Sequence, residues 1–193
     1  MRDVYQLWTR RLAADVCDAV VAQALELPPT VGSIGHGGKT VVRETTRRSL
    51  VRFLRRDEPE WGYLFDVVDY LFQEGNRNAF DVVYDWGSPQ SLQFTEYEFK
   101  PGEEGHYDWH QDLHWICQKQ PKQRKLSLVV NLSRPDDYDG GVLELKDAEV
   151  DPTKLRTQGT AICFPSFWYH RVTPITRGKR FSLVAWAEGP PYR

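Results

Sequence analysis

Tyr107-Asp108-Trp109-His110-Gln111-Asp112-Leu113 has the composition of a strand that carries chemistry. Side chains two apart on a strand project from the same face, so His110 and Asp112 can meet one cation. The segment is one of about eight short stretches rich in Val, Phe, Tyr, Trp and Leu and separated by Gly, Pro, Asp and Asn. The others are predicted over Ala79–Tyr84, Gln93–Lys100, Lys125–Leu132, Val142–Lys146, Gly159–Phe164, His170–Thr173 and Phe181–Ala187. That many strands without intervening helices predict a mainly β chain, an antiparallel double sheet of the jelly-roll kind.

Ahead of the strands the pattern is helical. Leu12, Val16, Ala19 and Val20 fall at helical spacing and Pro28-Pro29 closes the segment. Trp61, Leu64, Phe65, Val68, Leu71 and Phe72 form the stripe of a second helix, which Gly75-Asn76 stops. Between them lies a Gly-rich stretch, Gly32 to Gly38, which reads as a mobile loop, either a plain linker or a lid. The expected organisation is a single domain over 1–193, with a helical part of about 1–76 packed on one outer face of a β core of about 79–187. No internal repeat is visible.

The bulk numbers exclude several classes. With 25 basic and 27 acidic residues among 193, the net charge is −2 and no strong field invites nucleic acid or an anionic membrane. Cys17, Cys117 and Cys163 lack the spacings of a disulfide framework or structural zinc site, which suggests a reducing cytoplasm. No apolar run approaches the ~18 residues of a membrane span, and no signal peptide is visible. A soluble, cytoplasmic and unprocessed protein is expected, its oligomeric state open.

A cation held by two histidines and one carboxylate, with other positions open, is the arrangement of iron(II) oxygenases. His170, near the start of a predicted strand after Pro165-Ser166, is the candidate third ligand to His110 and Asp112. Ten residues later, Arg180 and Ser182 share one face of a strand, where a planar guanidinium can take a carboxylate through two parallel hydrogen bonds. A rival set, His110, Asp112 and His114, spans ~13 Å along one strand and closes on an ion only through a bulge. His36 and His106 read as loop histidines.

H-x-D, a distal His, Arg ten residues on and Ser at twelve together resemble the Fe(II)/2-oxoglutarate-dependent dioxygenases, in their prolyl 4-hydroxylase-like branch. The resemblance covers roughly Gln93 to Trp186 and includes Arg124-Lys125-Leu126-Ser127, Asp139-Gly140-Gly141-x-Leu143 and His170-Arg171-Val172-Thr173-Pro174. It implies a double-stranded β-helix, with His110, Asp112 and His170 as iron ligands and catalytic centre, and Arg180 with Ser182 on the distal carboxylate of 2-oxoglutarate. Asn131 matches a position that faces the co-substrate, though a sheet-edge amide bonding backbone fits equally. Tyr97 stands on the strand before H-x-D but further from it than the family's co-substrate tyrosine, and a core tyrosine is the better reading.

The implied cofactors are Fe(II), 2-oxoglutarate as co-substrate and O2, with ascorbate as an optional reductant. The implied reaction is hydroxylation of a C–H bond, with release of succinate and CO2, on a peptide or small-molecule substrate such as a prolyl residue or an amino-acid-like molecule. A carboxylate at position 112 argues against a halogenase. Two other classes compete: a non-catalytic cupin-like module binding a metal or ligand, which has no need of Arg180 and Ser182, and a metal-dependent hydrolase or isomerase, which consumes no oxygen. Gln118 to Gln123 reads as a solvated loop, with a clamp for a peptide or acidic small molecule as the alternative.

Overall fold

The computed structural model describes residues 3–36, 39–113 and 121–192. In chain order the elements are β1 (Gln6–Trp8), α1 (Ala14–Leu25), β2 (Thr30–Val31), β3 (Ile34–His36), β4 (Lys39–Val41), β5 (Arg47–Arg48), β6 (Leu50–Arg55), α2 (Gly62–Gly75), β7 (Ser91–Glu98), β8 (His106–His110) and β9 (Gln123–Asn131). They continue as β10 (Tyr138–Gly140), β11 (Leu143–Leu145), α3 (Pro152–Arg156), β12 (Ala161–Pro165), β13 (His170–Val172) and β14 (Ile175–Gly189). The large sheet runs β1-β12-β9-β14-β7-β6-β2, with β10 also paired to β14, and a smaller sheet runs β11-β13-β8-β5. Neighbours within both sheets are antiparallel, and the jelly roll expected from the strand pattern, the double-stranded β-helix that the family resemblance implies, is present.

β14 shows how alternation builds two cores from one sheet. Phe181, Leu183, Ala185 and Ala187 face the helices and pack with Leu126, Leu128, Val130 and Phe94 against Leu64, Phe65, Val68, Leu71 and Phe72 of α2. Cys17 and Cys163 are free thiols buried in this same core. Arg180, Ser182, Val184 and Trp186 line a cavity on the other face, between the sheets. A second apolar cluster, including Tyr97, Val129, Tyr138, Leu143, Ile162, Phe164 and Val172, fills the rest of that interval.

The structure corrects the expectation in four places. The strand predicted over 79–84 is absent: a π-helical turn, Asn76–Phe80, continues α2, followed by Asp81 at φ +53°. Ala79 and Phe80 are adjacent apolar residues that both enter the helix core, which a strand's alternation forbids. The Asn76 side chain then stands in for a strand partner, accepting from Val82 N–H (2.8 Å) and donating to its carbonyl (3.0 Å).

The N-terminal part is not purely helical either. β6 pairs with β7 in register from Leu50↔Glu96 to Arg55↔Ser91 and belongs to the large sheet, while β1 extends its other edge. The Arg residues of β6 hid its strand pattern. The Gly-rich stretch is not a plain linker but contributes β3 to a ribbon with β4, Ile34 opposite Val41. Lastly, the short helix α3 interrupts the strand series, capped by the Asp151 carboxylate, which accepts from Thr153 N–H and Lys154 N–H. No helix among the described residues is long and apolar enough to cross a membrane.

If packing of α2 on the sheet holds the fold, Phe72→Ala lowers the unfolding free energy by ~3–5 kcal/mol in urea titrations. Gln73→Ala, on the exposed face of the same helix, changes it by no more than about 0.5 kcal/mol. Equal effects from the two would overturn this account of the core.

Candidate metal and co-substrate site

β8 and β13 lie side by side with His110 directly opposite His170. The pairing puts two imidazoles from segments sixty residues apart in sequence into contact, their ring centroids 4.1 Å apart. β8 ends at His110, so Asp112 sits just past the strand, where its N–H and that of Leu113 both donate to the Ser166 carbonyl (3.0 Å each). One ligand atom from each of His110, Asp112 and His170 lies within 4.8 Å of the others. His114 lies outside the described residues; among those described, these three side chains are the set that meets.

The hydrogen bonds around the rings fix what they offer. His110 Nδ1 is 2.8 Å from the Asp108 carbonyl and His170 Nδ1 is 3.0 Å from the Trp168 carbonyl. A carbonyl only accepts, so each Nδ1 carries the proton and each Nε2 presents a lone pair. Those lone pairs face Asp112, with His110 Nε2 3.9 Å from Oδ1 and His170 Nε2 3.4 Å from Oδ2. Three electron-rich atoms converging this closely repel one another unless a proton or a metal cation sits between them. The donor set of two imidazole nitrogens and one carboxylate therefore fits an iron(II) ion.

Burial, then the nearby His170, pushes His110 down to about 3, which keeps it neutral. For Asp112, burial opposes the charge, but the imidazoles in their protonated form, the Arg124 guanidinium and the Ser127 hydroxyl outweigh it and hold the carboxyl well below the usual range. Ser127 Oγ donates to Asp112 Oδ2 (2.7 Å) and also meets Ser166 Oγ at 2.9 Å. The far side of His110 is covered by the Tyr107 ring, stacked at 3.4 Å, and Arg47 lies over Tyr107 at 4.7 Å.

The three ligands open onto a cavity of about 350 Å³ between the sheets, which Tyr97, Arg180 and Ser182 also line. Arg180 is 4% exposed, and its Nη1 is buried without a hydrogen-bond partner. A buried guanidinium N–H left unpaired is costly, and an acceptor brought by a ligand removes that cost. Tyr97 lies opposite Arg180 across β7 and β14, its ring 5.8 Å from the guanidinium, and belongs at once to the cavity wall and to the inter-sheet core. Burial raises its phenol, so it stays protonated and able to donate.

Asn131 is placed elsewhere. Its amide nitrogen donates to the carbonyls of Ser133 and Arg156 (2.9 Å each), and it lines a smaller neighbouring pocket, not the cavity of the histidines. It bonds backbone as an amide would, yet from the central strand β9 and not from a sheet edge. His106 bonds the carbonyls of Glu104 and Thr45, away from the ligands.

Sequence reasoning missed three contributors. Ser127 entered only as part of the family-like run Arg124-Lys125-Leu126-Ser127, with no role attached, and Arg47 sits on a two-residue strand too short for any periodicity. Arg124 is hidden by an irregularity. Its parity matches Leu126 and Leu128, which face the helices, but the β9–β14 register shifts between Ala187 and Glu188, where Leu126 and Arg124 are the successive partners. The extra residue turns Arg124 into the cavity, over the Trp186 ring at 3.7 Å.

The sequence profile of the 2OG-Fe(II) oxygenase superfamily matches residues 92–188, just over half the chain and the span that holds His110, Asp112, His170, Arg180 and Ser182. Among curated relatives, a PKHD-type hydroxylase of Sphingopyxis alaskensis is 34% identical over 123 residues, 63% of this chain and 53% of that protein. One of Synechococcus sp. is 38% identical over 63 residues, 33% of this chain and 28% of that protein. The chain thus spans between about a quarter and a half of the length of these relatives. Among solved structures, a Pseudomonas putida prolyl-4-hydroxylase superposes with a TM-score of 0.71 at 19% identity, covering 97% of this chain and 94% of that one. A Trichoplax adhaerens prolyl hydroxylase does so with a TM-score of 0.73 at 17% identity, covering 95% and 83%. The fold is that of the prolyl 4-hydroxylase-like branch, and the chain belongs to the 2OG-Fe(II) oxygenase superfamily.

Proposed function

We propose that this chain is an Fe(II)- and 2-oxoglutarate-dependent dioxygenase that hydroxylates a C–H bond of a peptidyl or amino-acid-like substrate and releases succinate and CO2. The observation that carries this reading is one cavity with two imidazole Nε2 atoms and a carboxylate converging at one place on its wall and an unpartnered, buried guanidinium nitrogen at another. Iron with 2-oxoglutarate and O2 supplies, when bound, the oxidative decarboxylation and the oxygen atom delivered to the substrate.

The side chains do the positioning. His110 and His170, oriented through Nδ1 by backbone carbonyls, and Asp112, held anionic and steadied by Ser127, would occupy one face of the metal and leave the other for co-substrate and oxygen. Arg180 would take the distal carboxylate of 2-oxoglutarate through its free N–H groups, with the Ser182 hydroxyl beside it and the Tyr97 phenol in reach of the same space. Val129, Leu143, Val172 and Val184 form the apolar wall that keeps water from the reacting carbon. The names of the relatives, PKHD-type hydroxylases and prolyl hydroxylases, support the hydroxylase class. A cupin-like binding module gives no reason for a buried Arg180 nitrogen without a partner.

The test is succinate formation from 2-oxoglutarate by protein loaded with Fe(II) without oxygen and then exposed to air. Succinate that depends on iron and disappears in Asp112→Ala is the expected result; full activity in that variant would falsify the ligand set. Arg180→Ala raises the KM for 2-oxoglutarate by ~10-fold or more while leaving metal affinity unchanged. An unaltered KM removes Arg180 from the co-substrate site. Ser127→Ala weakens metal binding by ~10–100-fold in a direct Mn(II) titration, because Asp112 loses the donor that orients it; unchanged affinity would show that Ser127 is a spectator.

A further inference from the structure

Arg180 is one of three guanidiniums on the cavity wall, and the other two, Arg47 over Tyr107 and Arg124 beside Asp112, are given no ligand by the reading above. Arg47 is 5% exposed. Its Nε donates to Ser49 Oγ (2.9 Å) and its Nη1 to the Ser33 carbonyl (3.0 Å), and Tyr107 lies beneath its plane. Among the described residues no carboxylate lies within ion-pair distance of it, and the sequence places no Asp or Glu in the remaining residues. Arg124 is held flat over Trp186, with its Nη1 3.9 Å from Asp112 Oδ1, too far for a hydrogen bond. Stacking on an aromatic face leaves the edge of a guanidinium, where its N–H groups are, open to an anion.

Charge balance makes these two residues informative. Asp112 is the sole acidic side chain on the cavity wall among the described residues. Three guanidiniums and a divalent ion, set against Asp112 and a dianionic co-substrate, leave the loaded site with a surplus of two positive charges. Arg47 is buried with no carboxylate partner, a costly state that a negative group entering the cavity relieves, and Arg124, its side chain 34% exposed and 3.9 Å from Asp112, adds a second positive charge to the same wall. The co-substrate does not fill that role for all three. Trp186, under Arg124, is six residues from Arg180 along β14, roughly 20 Å between Cα atoms. The anchor for the distal carboxylate and Arg124 therefore stand at opposite ends of one row. At about 350 Å³ the cavity is near the small end of ligand sites, which run from roughly 300 to 1,000 Å³, and it must hold the co-substrate as well.

We propose that Arg47 and Arg124 bind a carboxylate of the substrate, and hence that the substrate is a small acid, an amino-acid-like molecule with a free carboxylate close to the carbon that reacts, and not an internal residue of a peptide. This rests on the dioxygenase reading and narrows its substrate class. Guanidinium forks match a planar carboxylate and lose most of that match with a neutral amide, so the free acid and its amide separate the two substrate classes.

The experiment is calorimetric titration of the full chain, loaded with Mn(II) and saturated with N-oxalylglycine, an unreactive analogue of 2-oxoglutarate. The titrants are the proteinogenic L-amino acids and their C-terminal amides. At least one free acid binds, its amide binds ~30-fold more weakly or not at all, and Arg47→Gln and Arg124→Gln each weaken the acid by a similar factor. Arg47→Gln, whose side chain makes no contact with the three ligands, retains its affinity for N-oxalylglycine, which also reports that it is folded, and Arg47→Lys, keeping charge without the fork, gives a smaller loss. The proposal is overturned if no free acid binds, if acid and amide bind alike, or if Arg47→Gln loses N-oxalylglycine along with the acid. Failure of N-oxalylglycine to bind the unaltered chain would instead overturn the dioxygenase reading beneath it.

Discussion

The cross-strand pairing of His110 with His170 is the constraint on which the site depends. It delivers two imidazoles to one point from opposite strands, and the turn after β8 adds Asp112 at the same place. The arrangement is electrostatically incomplete as protein alone, since two nitrogen lone pairs and a buried carboxylate face one another within 4.8 Å. Both rings are fixed from behind by carbonyls and the carboxylate by a serine, so the groups cannot turn away to relieve the repulsion. The fold holds them ready for a cation at its own expense.

Around that point the large sheet serves two purposes through alternation. One face of β14 is apolar and takes α2; the other carries Arg180, Ser182, Val184 and Trp186 into the cavity. A one-residue slip in β14 would exchange the two sets, burying Arg180 among Phe72 and Leu128 and turning Leu183 onto the co-substrate space. The helix-covered core thus fixes the orientation of the binding face, and packing far from the metal determines which side chains meet it.

Much of this was legible in the sequence because it rests on local spacing. The i, i+2 relation of Arg180 to Ser182 and the stripe from Trp61 to Phe72 each follow from a single element's periodicity, and the structure reproduces them; His110 and Asp112 also meet, but through the turn after β8 and not through the strand alternation expected of them. What escaped depends on pairing or on breaks in periodicity. Arg124 reaches the cavity through a register shift that no count of alternating residues reveals, and Arg47 through a two-residue strand whose place is set by pairing with Tyr107. The segment 79–84 failed as a strand because Ala79 and Phe80 are needed side by side in the helix core. Asn131 was placed by the family resemblance, but its amide nitrogen is engaged by two carbonyls and it lines the neighbouring pocket.

The central claim, that three side chains form one metal site beside a co-substrate pocket, is tested most directly by anomalous diffraction from crystals grown with Mn(II) and 2-oxoglutarate. The account predicts a single anomalous peak at about 2.0–2.2 Å from His110 Nε2, His170 Nε2 and an Asp112 oxygen, with the distal carboxylate of 2-oxoglutarate on Arg180. A peak that involves His114 in place of His170, or a co-substrate carboxylate bound away from Arg180, would contradict it.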